Sequence, residues 1–309
     1  MNERLAALSV DLDEIGCYAA IHGLEPPSDD AARAIYRAAL PRLRRVFADL
    51  GVRATFFAIG SDLDEENAGA LRGLADDGHE IANHSLSHLY DLTRRSRAVI
   101  RDEIAGGADA IEAAVGVRPR GFRAPGYTIT DEVFDVLAEL GVRYDSSVFP
   151  CPAYYGAKAA AIRLIALRGR RSQSVVDDPR VLTAPAEPYR VGRPYWRRGD
   201  GVVELPIGVS RGPRLPYIGT SVVLASPLGA RLLTRTIIGR ELVSLELHGI
   251  DLADAEEDGL GWLAPHQVDL RRSARQKEAS LRAAVRALRA GGYRFVTCAE
   301  AAEAFAAAR

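Results

Sequence analysis

Short apolar runs alternate with longer amphipathic stretches through the first half of the chain. The apolar runs at 5–10, 53–59, 78–82, 120–123 and 142–144 predict strands, and most of them are followed directly by polar residues. The amphipathic stretches at 31–50, 68–76, 96–115 and 131–140 predict helices. Strands alternating with helices are typical of βα units around a parallel sheet, which makes the chain an α/β protein. In a barrel of such units, the polar residues that follow the strands share one rim.

The pattern is less regular elsewhere. Residues 14–30 predict a loop over the end of the first strand, and residues 150–205 predict a long insertion beside the active site, with one helical segment at 157–167. Strands are expected again at 202–207, 242–247 and 293–296, with helices at 273–290 and 299–308. We therefore predict a single α/β domain over 1–309 that carries an insertion.

Composition narrows the class of protein only modestly. The 309 residues are 48% hydrophobic and 26% charged, as in ordinary globular proteins, and the net charge of −1 argues against nucleic acid as a partner. Three widely spaced cysteines do not describe a disulfide framework. The chain starts without a signal-peptide pattern, and its apolar runs fall short of the roughly 20 residues that span a bilayer. We expect a cytoplasmic protein.

Two histidines and an Asp-x-Asp segment suggest a metal site. His84 and His88 stand four residues apart after a predicted strand, and on a helical turn they would project from one face. Two imidazoles on a divalent ion usually require a third, anionic ligand. Asp11 and Asp13 follow the first strand and lie on the same side of an extended chain, so they are the candidates. If the two segments meet, they form a hydrolytic metal site.

Two other metal chemistries fit less well, and so does a site without metal. A zincin protease has Glu after its first histidine, where this chain has Ser85. A non-heme iron oxygenase also uses two histidines and a carboxylate, but in a different fold and motif order. A polar turn without metal is the simplest alternative for the two histidines alone.

The motifs resemble those of the polysaccharide deacetylase family, also called the NodB-homology or carbohydrate esterase 4 family. The segments that carry the resemblance occur in the family's order and approximate spacing; they are Asp11-Leu12-Asp13, His84-Ser85-Leu86-Ser87-His88, Arg123-Ala124-Pro125-Gly126-Tyr127 and Leu247-His248-Gly249. The resemblance implies a distorted, incomplete (β/α) barrel with a divalent metal at its C-terminal rim. It also implies a role for each motif residue: Asp13, His84 and His88 as metal ligands, Asp11 as general base, Arg123 as its charge partner, a backbone amide near Tyr127 in the oxyanion hole, and His248 as general acid.

The departures from the family's pattern bear on the substrate. An Asp-x-Asp form replaces the family's adjacent Asp-Asp, and Asp145-Ser146-Ser147 is the nearest match to its Asp-Trp motif. The Asp-x-Asp form resembles an intracellular branch that includes lipid-linked formamido-sugar deformylases and allantoinase-like or cyclic-imidase-like members. We therefore expect removal of an acetyl or formyl group from an N-acylated amino sugar or lipid-linked sugar. Zinc is the first candidate metal because of its availability, and cobalt, iron, manganese and nickel also suit two histidines and an aspartate.

Two further functions stay open. One is ring opening of a small nitrogen metabolite at the same site, and the other is a non-catalytic barrel that binds a glycan. The oligomeric state is not specified by the sequence.

The predicted insertion is basic and partly apolar. Arginines at 163, 168, 170 and 171 accompany the apolar residues of 162–167, and more arginines and aromatic residues follow up to residue 198. Such a face, within 160–200, suits peripheral contact with anionic headgroups or a lipid-linked phosphate sugar. The simpler alternative is a solvated basic lid whose apolar side packs on the barrel.

Overall fold

One sheet carries the fold. The computed structural model describes residues 3–27 and 30–307. Within these residues the strands are β1 (Arg4–Asp11), β2 (Thr55–Ala58), β3 (Glu80–Asn83), β4 (Gly121–Phe122), β5 (Tyr144–Asp145), β6 (Tyr189–Val191), β7 (Arg198–Glu204), β8 (Leu242–His248) and β9 (Tyr293–Val296). The predicted strands are all present, with ends that differ by a few residues.

The α-helices connect and cover these strands. Within the described residues they are α1 (Ile15–His22), α2 (Leu40–Leu50), α3 (Glu65–Asp76), α4 (Arg97–Val115), α5 (Asp131–Glu139), α6 (Pro152–Leu167), α7 (Gly219–Leu224), α8 (Pro227–Arg235), α9 (Ala274–Ala290) and α10 (Cys298–Ala307). The predicted helix at 31–50 begins with a 3-10 turn and a wider π turn before α2. Gly51 ends α2 in the left-handed conformation, at φ 57°, which a glycine adopts without strain.

The strand order is β6-β7-β5-β4-β3-β2-β1-β8, and β9 also pairs with β1. The ladders are parallel except for β6, which runs antiparallel to β7. Since β6 and β8 lie at opposite ends of this order, the sheet curls into an open half-barrel rather than a closed one. The predicted α/β class and the incomplete barrel are confirmed.

The strand register brings the carboxyl ends of the strands to one edge. Asp11 at the end of β1 lies opposite Phe57 of β2 and opposite His248 of β8. Asp145 at the end of β5 lies opposite Glu204 at the end of β7. The β1 strand is buried from Leu5 onward, as expected for a parallel strand that is covered on both faces. Polar residues therefore gather at this edge because the strands end there.

The loop predicted after the first strand is wrong. The segment 14–30 was expected to be a loop, but it contains α1, and Glu14 at its start accepts backbone N–H groups from Ile15, Ile35 and Tyr36. That carboxylate therefore ties the start of α1 to the next helical segment. Residues 28 and 29 of this segment, residue 308 of the predicted last helix, and residues 1, 2 and 309 lie outside the described residues.

The segment 150–205 was predicted as an insertion with one helix and no clear alternation, and the structure adds strands to it. Both β6 and β7 fall within it and belong to the main sheet. The helices α7 and α8 were not predicted at all. None of the helices in the described part of the chain is both long and apolar enough to cross a membrane.

Candidate active site

The turn that carries the two histidines follows β3 directly. It is not helical, contrary to the sequence-based expectation, because Ser85 and His88 adopt left-handed backbone conformations with φ 69° and 55°. Non-glycine residues are rare in this region and often occur at functional sites, where neighbouring contacts hold them. The two imidazoles nevertheless converge, with ring centroids 4.9 Å apart.

Side chains from β3 and α4 hold this turn in place. Asn83 Oδ1 accepts the Ser85 N–H, and Asn83 Nδ2 donates to the Ile104 carbonyl of α4. Glu103, also on α4, accepts both the N–H and the hydroxyl of Ser87, at 2.9 and 2.6 Å. Helix α4 therefore fixes the conformation that directs the histidines to one point.

Asp13, His84 and His88 form a group that could hold a metal ion. Asp13 Oδ1 lies 3.3 Å from His84 Nε2, and Asp13 Oδ2 lies 3.4 Å from His88 Nε2. Ligands about 2.1 Å from a tetrahedral zinc ion stand roughly 3.4 Å apart, so these spacings fit. Among the described residues, Asp13 Oδ1 and both ring nitrogens of His88 are buried without a hydrogen-bond partner. Coordination to a cation would satisfy Asp13 Oδ1 and His88 Nε2.

The protonation state of the group also suits a metal. His84 Nδ1 lies 2.7 Å from the Arg123 carbonyl oxygen, which can only accept a hydrogen bond. This contact puts the proton on Nδ1 and leaves the lone pair of Nε2 directed at Asp13. Although burial opposes ionisation, the neighbouring imidazoles of His88 and His84 hold the pKa of Asp13 well below its usual range.

Asp11 stands beside this group and is held by one oxygen only. Arg123 Nη1 donates to Asp11 Oδ1 at 2.6 Å, and both side chains are buried. Asp11 Oδ2 lies 3.8 Å from His84 Nε2 and is buried with no hydrogen-bond partner among the described residues. One oxygen of Asp11 is thus held by Arg123. The other faces the group of Asp13, His84 and His88 and is free to accept a proton.

Arg123 is itself fixed on every side. Its Nη2 donates to the hydroxyls of Ser9 and Ser146, and its Nε donates to the Ser146 carbonyl. The guanidinium also lies 4.1 Å from the centroid of the Phe57 ring. Burial alone would lower the pKa of Arg123, but the carboxylates of Asp11 and Glu246 raise it. The guanidinium is therefore a permanent charge beside Asp11.

A second layer of carboxyl groups supports Ser146 and its neighbours. Asp145 accepts the N–H and the hydroxyl of Ser147, and Ser147 Oγ in turn accepts the Ala124 N–H. Glu204 accepts the Val148 N–H. The segment nearest to the family's Asp-Trp motif thus holds the Arg123 strand end instead of facing the site.

His248 approaches from the opposite side of the site, at the end of β8. Its Nδ1 lies 2.9 Å from Glu246 Oε1, and its Nε2 lies 3.3 Å from the Tyr127 hydroxyl and 3.9 Å from Asp13 Oδ2. Burial disfavours the imidazolium, but Glu246, Asp13 and Asp11 raise the pKa of His248 well above its usual value. A proton on Nδ1 is favoured by Glu246, so Nε2 is the atom that faces the site.

Ligand atoms of Asp11, Glu246 and His248 also lie within 4.8 Å of one another. The Arg123 guanidinium on Asp11 disfavours a second cation there, so these residues are better suited to proton transfer.

The role expected for the amide near Tyr127 needs a correction. The Tyr127 N–H donates to the Ala124 carbonyl at 3.1 Å, so this amide is not free to bind an oxyanion. The residue has φ 58°, a left-handed conformation, and its phenol is the group that meets His248. Burial and the charge of Glu246 raise the pKa of Tyr127 well above its usual value, so the phenol keeps its proton.

A cavity of about 140 Å³ opens onto Asp13 and His248. The rings of Tyr18, Tyr90, Tyr127 and Tyr154 line it, together with polar groups from Lys158, Thr220, Gln267 and Asp269. Helix α6 supplies Tyr154 and Lys158, so the predicted insertion does contribute to this pocket. A larger cavity of about 690 Å³ lies near Arg120, Tyr144 and Glu303, away from the catalytic groups. We assign the site to the smaller cavity because the reactive groups are there.

The motifs alone did not identify several residues of the site. Glu246 could have been found, because it lies two residues before His248 on a strand and hence on the same face. Glu103 and Asn83 act through the backbone of the turn, and no sequence spacing indicates such contacts.

Asp11 and His248 thus flank the group of Asp13, His84 and His88 at the edge of the half-barrel. Residues 29–144 match the family model named Polysaccharide deacetylase, which confirms the resemblance to that family. His84, His88 and Arg123 lie inside the matched region, whereas Asp11, Asp13 and His248 lie outside it.

Relatives support this assignment over part of the chain. A peptidoglycan deacetylase of Helicobacter pylori is 26% identical over 148 residues, which cover 47% of this chain and 50% of that protein. A peptidoglycan-N-acetylglucosamine deacetylase of Bacillus cereus is 33% identical over 101 residues, which cover 33% of this chain and 46% of that protein. The chain thus matches half or less of the length of these relatives.

One solved structure shows the fold over nearly the whole chain. It is a protein of Mycobacterium smegmatis that is provisionally assigned as a polysaccharide deacetylase, with TM-score 0.61 and 19% identity. The comparison covers 98% of this chain and 90% of that one.

Proposed function

We propose that the protein is a metal-dependent hydrolase that removes an acetyl or formyl group from the nitrogen of an amino sugar or glycoconjugate. The observation that carries this proposal is the convergence of residues from four strand ends. Asp11 and Asp13 follow β1, the histidine pair follows β3, Arg123 follows β4 and His248 ends β8. A structural role does not require this set of acid, base and ligand atoms within one small volume.

Asp13, His84 and His88 would hold the metal. Bound there, a divalent ion would polarise the amide carbonyl and make water a stronger nucleophile near neutral pH. Zinc fits two imidazoles and a carboxylate, as do cobalt, iron, manganese and nickel.

The chain's own residues would move the protons. The free oxygen of Asp11 would take the proton of the attacking water, while Arg123 keeps that carboxylate ionised and oriented. On the other side, His248 Nε2 would give a proton to the leaving amine. The Tyr127 hydroxyl, 3.3 Å from that nitrogen, would hold the imidazole in place or donate to the developing oxyanion.

The pocket supports a sugar-sized substrate. Aromatic rings cover the apolar faces of a sugar, and amide, hydroxyl and carboxyl groups bind its hydroxyls. Tyr18 and Tyr90 offer rings, and Thr220, Gln267 and Asp269 offer polar atoms, all on one cavity.

A small cyclic amide is the second candidate, because a cavity of about 140 Å³ is small for a polymer chain. Such a substrate would use the same base, acid and ligands, but the product would be a ring-opened acid. Product analysis therefore separates the two: release of acetate or formate supports the first, and a ring-opened acid without acyl release supports the second.

The test begins with metal content and activity of the untagged protein. We expect about one metal ion per chain in the wild type, little in His84→Ala, and a normal content in Asp11→Asn, which should be inactive. His266→Ala is the matched histidine control, because His266 lies outside the Asp13 group. An acyl-release assay over N-acetylated and N-formylated amino sugars then measures turnover.

Three results would contradict the proposal. Metal that stays in His84→Ala would place the ion elsewhere, and full activity of Asp11→Asn would exclude that residue as the base. A protein that binds no metal and shows no turnover after zinc, cobalt or manganese is added would favour the glycan-binding barrel.

A further inference from the structure

Helix α6 forms a wall of the active-site pocket, and its outer surface is apolar and exposed. Tyr155 is its one buried residue, although most of the helix from Pro152 to Leu167 is apolar in sequence. Leu164 is 48% exposed and Leu167 is 75% exposed, which is high for leucine in a folded protein. A stable helix normally packs its apolar side chains inside, so this surface needs an explanation.

The same surface is strongly basic. Between residues 152 and 176 there is no aspartate or glutamate, whereas the segment contains Lys158 and four arginines. Those arginines are at 163, 168, 170 and 171, and none of them has an ion-pair partner among the described residues. Surface arginines elsewhere are often paired, as Arg37 is with Glu66 and Arg118 with Asp109. The positive charge of these four arginines is therefore not balanced by an ion pair among the described residues.

The inner side of α6 meets the active site. Tyr154 and Lys158 line the pocket, and Lys158 Nζ donates to the Gly126 carbonyl at 2.8 Å. Asp13 and His248 line the same cavity. One helix thus has an inner side in the catalytic pocket and an outer side of leucines and unpaired arginines.

We propose that α6 and the arginines directly after it dock on an anionic lipid surface. Leucines next to arginines, without acidic residues, match the interfacial type of helix that buries its apolar side chains at the headgroup boundary. The arginines would contact the anionic headgroups, and Leu164 and Leu167 would enter the acyl region. This inference concerns a surface and does not depend on the hydrolytic reaction.

Two other partners for this surface of α6 fit less well. A soluble polyanion would pair with the arginines but would leave Leu164 and Leu167 in water. A second copy of the chain would bring the same basic face against itself, since a twofold interface pairs identical patches, and the four arginines of each copy would repel those of the other.

The experiment is co-sedimentation of the full chain with vesicles of phosphatidylcholine alone and of phosphatidylcholine mixed with phosphatidylglycerol. We expect binding to the mixed vesicles at low salt, weaker binding at high salt, and little binding to phosphatidylcholine alone. Because a basic residue near an anionic surface changes partitioning by about fivefold, Arg168→Gln with Arg170→Gln should weaken binding by about 25-fold.

Leu164→Ser with Leu167→Ser should weaken binding as well and should leave the salt dependence unchanged. A matched control carries the same kinds of substitution on α8, at Leu228, Leu232, Arg231 and Arg235. The first two are 57% and 48% exposed leucines, and the control should bind vesicles like the wild type. Helical content by circular dichroism checks that each variant is folded.

Three results would overturn the proposal. The first is no sedimentation with the mixed vesicles at low salt. The second is binding that responds to the arginines but not to the leucines, which would show that Leu164 and Leu167 do not enter the bilayer and that any polyanion would serve. The third is a dimer in solution that the leucine variant dissociates, which would identify a second copy as the occupant.

Discussion

Replacement of Arg123 tests the link between stability and catalysis most directly. The guanidinium pairs with Asp11 and donates three further hydrogen bonds to Ser9 and Ser146, all in a buried setting. Arg123→Lys keeps the charge beside Asp11 but has too few donors, in the wrong geometry, for the serine contacts. Arg123→Met removes the charge as well and leaves Asp11 buried without its partner.

The contacts of Arg123 determine how much stability each variant should lose. Three lost hydrogen bonds to uncharged partners at about 1 kcal/mol each make Arg123→Lys about 3 kcal/mol less stable. For a chain of this length that corresponds to a fall in Tm of about 5 °C. Breaking a buried ion pair by removing one partner costs about 3–5 kcal/mol more, so Arg123→Met should be the least stable.

Denaturant unfolding, metal content and kcat are measured on the same preparations. We expect Arg123→Lys to keep its metal, because Asp13, His84 and His88 are unchanged, and to lose kcat because Asp11 is no longer oriented. Arg120→Met is the control: Arg120 pairs with Glu303 on the surface, with exposures of 62% and 68%, so it should lose under about 1 kcal/mol. If Arg123→Met is as stable as Arg120→Met, Arg123 does not stabilise the fold through these contacts. If Arg123→Lys retains full kcat, the serine contacts of Arg123 are not needed to orient Asp11.

Three further variants address other parts of the site. Burial and a neighbouring carboxylate raise the pKa of Glu204 well above its usual value, so the folded protein keeps a proton that the unfolded chain releases. Stability should therefore fall as pH rises, and Glu204→Gln should make that fall shallower by up to about 1.4 kcal/mol per pH unit in unfolding curves above about pH 6. Glu14, whose pKa burial raises to about 7, contributes to the same fall and is unchanged in this variant. A slope equal to that of the wild type would refute the assignment. Glu246→Gln removes the carboxylate that lies 2.9 Å from His248 Nδ1. We expect kcat to drop about 100-fold or more while the metal content stays constant. An unaltered kcat would exclude Glu246 as a residue that positions His248. A Cβ on Gly107 would meet the backbone of the histidine turn, whereas one on Gly106 would meet the flexible side chain of Leu86. Gly107→Ala should therefore lose about 1–3 kcal/mol of stability and bind metal more weakly in a titration, whereas Gly106→Ala should do neither. Equal stability and metal affinity of the two variants would contradict this explanation.

The sequence predicted which residues come together better than it predicted their local structure. Polar residues after apolar runs were expected at one rim, and the strand register does bring Asp11 and His248 opposite each other. The His84 to His88 spacing indicated convergence but suggested a helix, because left-handed residues in a turn leave no simple pattern. The contact of Glu103 with that turn depends on how α4 packs, which a periodicity does not specify.

The missed helix α1 has a similar explanation. It spans eight residues from Ile15 to His22, and it contains no acidic residue in its first turn to mark its start. Its cap is Glu14, whose carboxylate also binds backbone groups near residue 35. A tertiary contact, not a local propensity, therefore stabilises this helix.

The pairing of β1 with β8 has a consequence for how the chain acquires activity. Leu5 of β1 lies beside Leu242 of β8, so this ladder joins segments more than two hundred residues apart. Parallel pairings over such separations form slowly, because a long loop must close first. During synthesis Asp13, His84 and His88 are present long before His248, and the β8 side of β1 stays open in the meantime, where other chains can pair with it. His248, the acid in the proposed mechanism, is thus the last of these residues to be synthesised, and a nascent chain can bring Asp13, His84 and His88 together well before it can carry out the proposed reaction.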